Sequence, residues 1–165
     1  MATVINRLLV VFACLLALGA LSGCATRSGK TGRTAASEVP PVDILESNFA
    51  QAPYVLEIEV KKVRKTATFR SDSGEVGYVQ YSVSGTISEI LKTTESREFF
   101  GNDVEYRFTR EYDPSRSPSI RKGDRYLVFL MLPGSSSYFW LIGESAQFEL
   151  NPQLSETMKR IAQKR

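Results

Sequence analysis

The side chains able to do chemistry are few, and the missing ones narrow the field first. Histidine is absent from all 165 residues, which removes the commonest general base and the commonest metal ligand together. The two cysteines, Cys14 and Cys24, both lie near the start. The rest of the chain therefore has neither a free thiol nor a disulfide. Catalysis would have to rest on carboxylates, a lysine or a Ser–Lys pair, and no cofactor or metal is expected. Glu57 and Glu59 share one face of a strand and resemble a carboxylate pair. Charges that alternate with apolar residues are, however, the ordinary solvated side of a strand, and that is the expectation here. Asp72, Asp103, Asp113 and Asp124 sit where aspartate serves turn geometry, and none begins a calcium loop. The fragment Gly29-Lys30-Thr31 suggests a phosphate loop, but Cys24 stands where that loop needs its first glycine.

A more useful concentration is cationic. Arg116, Arg121 and Lys122, with Arg125 at the exit, gather in one loop. They form a candidate binding site for carboxylate, phosphate or an anionic glycan, set against the plainer reading of a solvated loop. Tyr78, Phe99, Phe100, Tyr112 and Tyr138 fall at strand ends or in loops, where they would make a contact surface or cap the fold. Trp140, between Phe139 and Leu141, is expected in the core.

The elements that must hold these residues follow from periodicity. A short helix is predicted over 42–50, with Ile44, Leu45 and Phe49 as its apolar residues. The first strand is predicted over 54–63, because Leu56, Ile58 and Val60 alternate with Glu57, Glu59 and Lys61. That pattern slips at Lys61-Lys62 and predicts a bulge. After the turn 71–74 a long strand carries Val79, Tyr81, Val83 and Ile87 on one side. Gly85 falls on the same side, where a missing side chain lets a strand bend or another pass close. A third strand alternates through Val104, Tyr106 and Phe108. The seven-residue apolar run from Tyr126 to Leu132 predicts a strand buried on both faces. One or two short strands follow around Gly143. Asn151-Pro152 then opens a helix with the apolar stripe Leu154, Met158, Ile161 and Ala162, and with Lys159, Arg160, Lys164 and Arg165 toward its end.

Before all this comes a different kind of segment. Arg7 supplies a positive start, and Leu8 to Leu21 run fourteen residues without a charge. That suits an export signal, since crossing the bilayer core takes about 20 residues at helical rise. Directly after it, Leu21-Ser22-Gly23-Cys24 resembles the lipobox of bacterial lipoproteins. The resemblance implies removal of residues 1–23, acylation of Cys24 and a membrane anchor of two or three lipid chains. Ala25, in place of the aspartate that retains many such proteins at the inner membrane, implies the outer membrane and its periplasmic face. Residues 24–41 are small and polar and end in Pro40-Pro41, as a flexible tether does. Residues 42–165 then form a single domain. Loss of the signal leaves 20 of the 21 Lys and Arg against 18 acids, a near balance that gives no drive toward nucleic acid.

The strands add up to a mainly β fold, a small five-stranded OB-like barrel with a short N-terminal helix and a C-terminal amphipathic helix. The stretch 54–148 is similar to netrin-like OB-fold modules. The similarity is carried by 54–60, by Tyr81-Ser82-Val83-Ser84-Gly85-Thr86-Ile87-Ser88-Glu89-Ile90-Leu91-Lys92, and by Lys122-Gly123-Asp124-Arg125-Tyr126-Leu127-Val128-Phe129-Leu130. The disulfides of animal members are absent. The expected role is a non-catalytic binding or assembly module for an envelope protein partner. A glycan-binding module is the alternative, and a hydrolase using carboxylates or a Ser–Lys pair is a more distant one. Fold alone decides among none of these.

Overall fold

A computed structural model of the chain describes residues 39–114, 120–134 and 136–164. Cys24, the export signal, the tether through residue 38 and Arg116 lie outside the described residues.

Helix α1 (Val42–Gln51) starts at Pro41, whose carbonyl accepts from the amides of Ile44 and Leu45 at 3.1 and 3.2 Å. Only one side of it docks. Leu45 and Phe49 are buried, whereas Ile44 and Val42 stay exposed. Strand β1 (Tyr54–Arg70) is longer than its apolar pattern suggests, because the polar residues beyond Val63 pair with β2 (Val76–Lys92) out to Arg70. Lys61 is the extra residue of a bulge, since Val60 pairs with Gly85 and Lys62 with Ser84. Strands β3 (Asp103–Glu111), β4 (Arg125–Met131), β5 (Phe139–Leu141) and β6 (Gln147–Glu149) follow, and helix α2 (Pro152–Gln163) ends the order. The Asn151 carboxamide oxygen accepts from the Leu154 amide at 2.8 Å, with proline in the first turn. That is the start the Asn-Pro pair predicts.

Five strands close a ring in the order β1-β2-β3-β5-β4, and β4 pairs back to β1 over Tyr54–Glu59. The β3–β5 pair is parallel and the others are antiparallel. Strand β6 adds to β4 at Tyr126, Leu127 and Val128. Inside the ring, Leu56, Ile58, Val83, Tyr106, Val128 and Leu130 form one core. A second core lies on the outside, where Val55, Leu127 and Phe129 meet Leu45 and Phe49 of α1 and Leu154, Met158 and Ile161 of α2. Strand β4 is therefore buried on both sides, which is why its sequence is an unbroken apolar run. Burying each such side chain contributes about 1.5–3 kcal/mol, and the helices give the outward residues somewhere to go.

Two expectations fail for the same reason, a covering or uncovering element far away in sequence. Glu57 does not face solvent and is only 3 % exposed. Helix α2 lies over it, and the Ser155 hydroxyl donates to its carboxylate at 2.7 Å. Arg125 stands 3.8 Å from the other carboxylate oxygen. Glu59, two residues on, is exposed as expected. Trp140, in turn, is half-buried on the outside of the ring rather than in the core. It pairs with Arg107 and Met131 in register, and Phe139 and Leu141 turn inward instead.

Candidate functional site

The connection into β4 is built as a ledge. Ile120 is buried as its plug, and a tight turn follows in which Gly123 takes φ +91°, a conformation glycine adopts without steric cost. The Asp124 carboxylate accepts from the Arg121 amide at 2.6 Å. Two backbone bonds then fasten the turn to β1. The Gly123 amide donates to the Val60 carbonyl at 2.8 Å, and the Val60 amide donates to the Asp124 carbonyl at 2.9 Å. Arg121 and Lys122 sit exposed on this pinned turn, with no ion pair among the described residues.

The attachment at Val60 places that turn beside the start of a second run of charge. Residues 61–70 hold Lys61, Lys62, Arg64, Lys65 and Arg70 and no acid. Lys61 is neutralised by Asp103 at 2.6 Å. Arg70 is occupied at the hairpin tip, where it donates to the Gly74 carbonyl at 2.7 Å. Lys62, Arg64 and Lys65 are exposed and have no ion pair among the described residues. Lys62 and Arg64 stand opposite Ser84 and Ser82 on the outer face, and Lys65 stands opposite Tyr81 on the inner one. On that outer face the Glu105 carboxylate accepts from the Ser82 hydroxyl. Beyond Val60, no described strand pairs with the other side of β1, so its edge presents backbone N–H and C=O groups that an added strand could use.

Two further features bear on ligand binding. On the outer face, the Arg107 guanidinium stacks 3.5 Å above the Tyr138 ring centroid, with Trp140 as its register partner. The Nε of Arg107 is buried without a hydrogen-bond partner. At the end of the ring where β4 begins, a cleft of about 230 Å³ opens between Phe108, Arg110, Tyr126, Glu144 and Glu149. Burial pushes the Tyr126 hydroxyl up to about 12, helped by the negative charges of Asp124 and Glu149. Tyr106, deeper in the ring, is raised by burial as well and donates to Gln147 at 2.8 Å. Both phenols are thus neutral hydrogen-bond donors at physiological pH. Among the described residues no three His, Cys, Asp or Glu side chains converge as a metal cluster, and no helix is long and apolar enough to cross a membrane.

Of the residues singled out from sequence, Arg121 and Lys122 are brought together on the ledge. Arg125 is not with them, because it leans toward Glu57. Glu57 and Glu59 are separated by burial. Among the aromatics, Phe100 is buried and makes an edge contact with Tyr54, so it closes one end of the ring. Tyr78, Phe99, Tyr112 and Tyr138 remain exposed. Sequence reasoning missed Lys62, Arg64 and Lys65 as part of the same surface. The signal was five cations and no acid within ten residues of strand-forming sequence. It also missed Arg107, whose partner Tyr138 lies on a different strand connection. The chain matches no protein-family model and no curated protein.

Proposed function

We propose that this chain is a lipid-anchored module of the bacterial envelope that binds a protein partner and carries out no catalytic step. The observation that carries the reading is the basic strip: Arg121 and Lys122 on a turn pinned to Val60, continued by Lys62, Arg64 and Lys65 along β1. Cations with no ion pair among the described residues, held on a rigid frame, suit an acidic partner, and arginine contributes disproportionately at interface hot spots. The anchor rests on Leu21-Ser22-Gly23-Cys24 and its likeness to a lipobox, with acylated Cys24 in the bilayer, on the periplasmic side of the outer membrane. Arg116 belongs to the same loop in sequence and is included in the binding surface on that ground. The strand order β1-β2-β3-β5-β4, with its parallel β3–β5 pair and closing β4–β1 pair, supports the finer reading of the ring as a small OB-like barrel.

A glycan-binding role is the second reading. It is favoured by Arg107 stacked on Tyr138 beside Trp140, on the outer face of β3 and β5. The first reading is tested in one experiment. Arg121→Glu with Lys122→Glu, and separately Glu59→Lys, are introduced into the full chain in living cells, followed by chemical crosslinking and mass spectrometry. All three altered residues are exposed, so both variants fold. Recovery of the crosslinked protein should fall in the first variant and persist in the second. Equal recovery in both would overturn the basic strip as the binding surface.

A further inference from the structure

We propose that the free edge of β1 over residues 61–70 accepts an extended, acidic polypeptide segment as an added strand. This deepens the binding reading above and rests on it. The edge is ten residues long, about 33 Å at strand rise, and its inner side is already paired with β2 throughout. Among the described residues nothing pairs with this edge, so its backbone is preformed for an added strand. Register irregularities between Lys65 and Ala67 and between Phe69 and Arg70 limit straight pairing, so the incoming segment engages residues 62–65 first.

Charge selects the occupant. A second copy of this chain would bring Lys62, Arg64 and Lys65 against the same residues, and like charges directly opposite one another oppose pairing. The tether of the chain itself carries Arg27, Lys30 and Arg33 against Glu38, so it shares the sign of the edge. An acidic segment meets three cations on β1 and two more on the ledge that have no ion pair among the described residues. The ledge already extends the β1 ladder by its two bonds to Val60, so the added strand would begin where the ledge stops. At the far end, Phe69 and Tyr78 face each other in register, and they are 48 % and 50 % exposed. They offer an apolar residue of the segment a place to rest. Strand addition of this kind draws affinity from main-chain bonds and specificity from alternate side chains.

The test uses the full chain in detergent micelles and a synthetic ten-residue peptide of alternating Glu and Val. A second peptide has the same sequence and charge but carries an N-methyl group on every residue, which removes its donors. Hydrogen exchange measured amide by amide should slow within residues 62–69 on adding the first peptide. The N-methylated peptide should bind at least about tenfold more weakly, and Arg64→Glu with Lys65→Glu should weaken the first peptide about tenfold. Equal binding of the two peptides, binding without protection of those amides, or no binding at all would overturn strand addition. If strand addition fails while Arg121→Glu with Lys122→Glu still depletes the cellular crosslink, the binding reading stands alone. If that depletion is also absent, both fall.

Discussion

Gly85 is where a single methyl group should disturb the frame that holds the basic ledge. It pairs with Val60 on one side and Val104 on the other. A Cβ built there would lie 2.8 Å from the Glu59 carbonyl oxygen and 3.3 Å from the Ile58 Cδ1. The Ile58 methyl can yield by a change of rotamer. The carbonyl cannot, because it belongs to β1 just before the bulge at Lys61, and moving it by about 0.5 Å shifts Val60 and the turn bonded to it. Overpacking of this kind costs about 1–3 kcal/mol, and the loss of glycine's freedom in the unfolded chain returns about 0.4–1 kcal/mol. Gly85→Ala should therefore destabilise the domain by about 1–2 kcal/mol and lower its melting temperature by about 3–10 °C. Thermal and urea unfolding followed by circular dichroism measures both. Ile58→Val should not rescue the variant, since the carbonyl contact remains. A melting temperature that is unchanged or raised, or full rescue by Ile58→Val, would refute the close approach of β1 and β2 at this point.

Leu154→Ala removes a fully buried side chain from the core between the helices and β4. It should cost about 2–5 kcal/mol in the same unfolding measurement, and a loss under about 1 kcal/mol would show that α2 is not docked. Tyr106 and Tyr126 both have hydroxyl pKa values raised in the folded state, Tyr126 to about 12, against about 10 unfolded. The contribution of Tyr126 is fully present below pH 10 and is lost as pH rises from there through about 12. Tyr126→Phe should flatten that alkaline decline in a pH series of urea midpoints, and an unchanged slope would contradict it. Cys24→Ser should abolish palmitate labelling of the protein in growing cells, and labelling equal to the unaltered protein would end the lipid-anchor reading.

What the sequence revealed and what it hid divide along the range of the interactions responsible. The cap at Asn151, the bulge at Lys61, the turn at 71–74 and the glycine at 85 were all legible because each is a local rule about backbone geometry. The double burial of β4 was legible because no polar residue interrupts it. The burial of Glu57 was not, since it depends on Ser155, 98 residues away. Alternation reports which side of the strand a residue takes, and is silent on whether a helix will cover that side. The outer half of β1 was hidden by its own composition. In Lys61 to Arg70 the apolar side of Val63, Ala67 and Phe69 is broken by Lys65, so periodicity ended the strand at Val63, while the hairpin pairing with β2 continued it. Arg121 and Lys122 were found as a charged loop. Their continuation along β1 depends on the two bonds to Val60, which no sequence pattern displays.

Site-specific photo-crosslinking in living cells tests the central claim most directly. A photoreactive residue is placed singly at Lys62, Arg64 or Lys122 on the basic strip, and at Asp43 or Ser47 on the exposed side of α1. The three strip positions should capture the same protein, and the two helix positions should not. Adducts from Asp43 and Ser47 alone, with the strip silent, would overturn the basic strip as the binding surface.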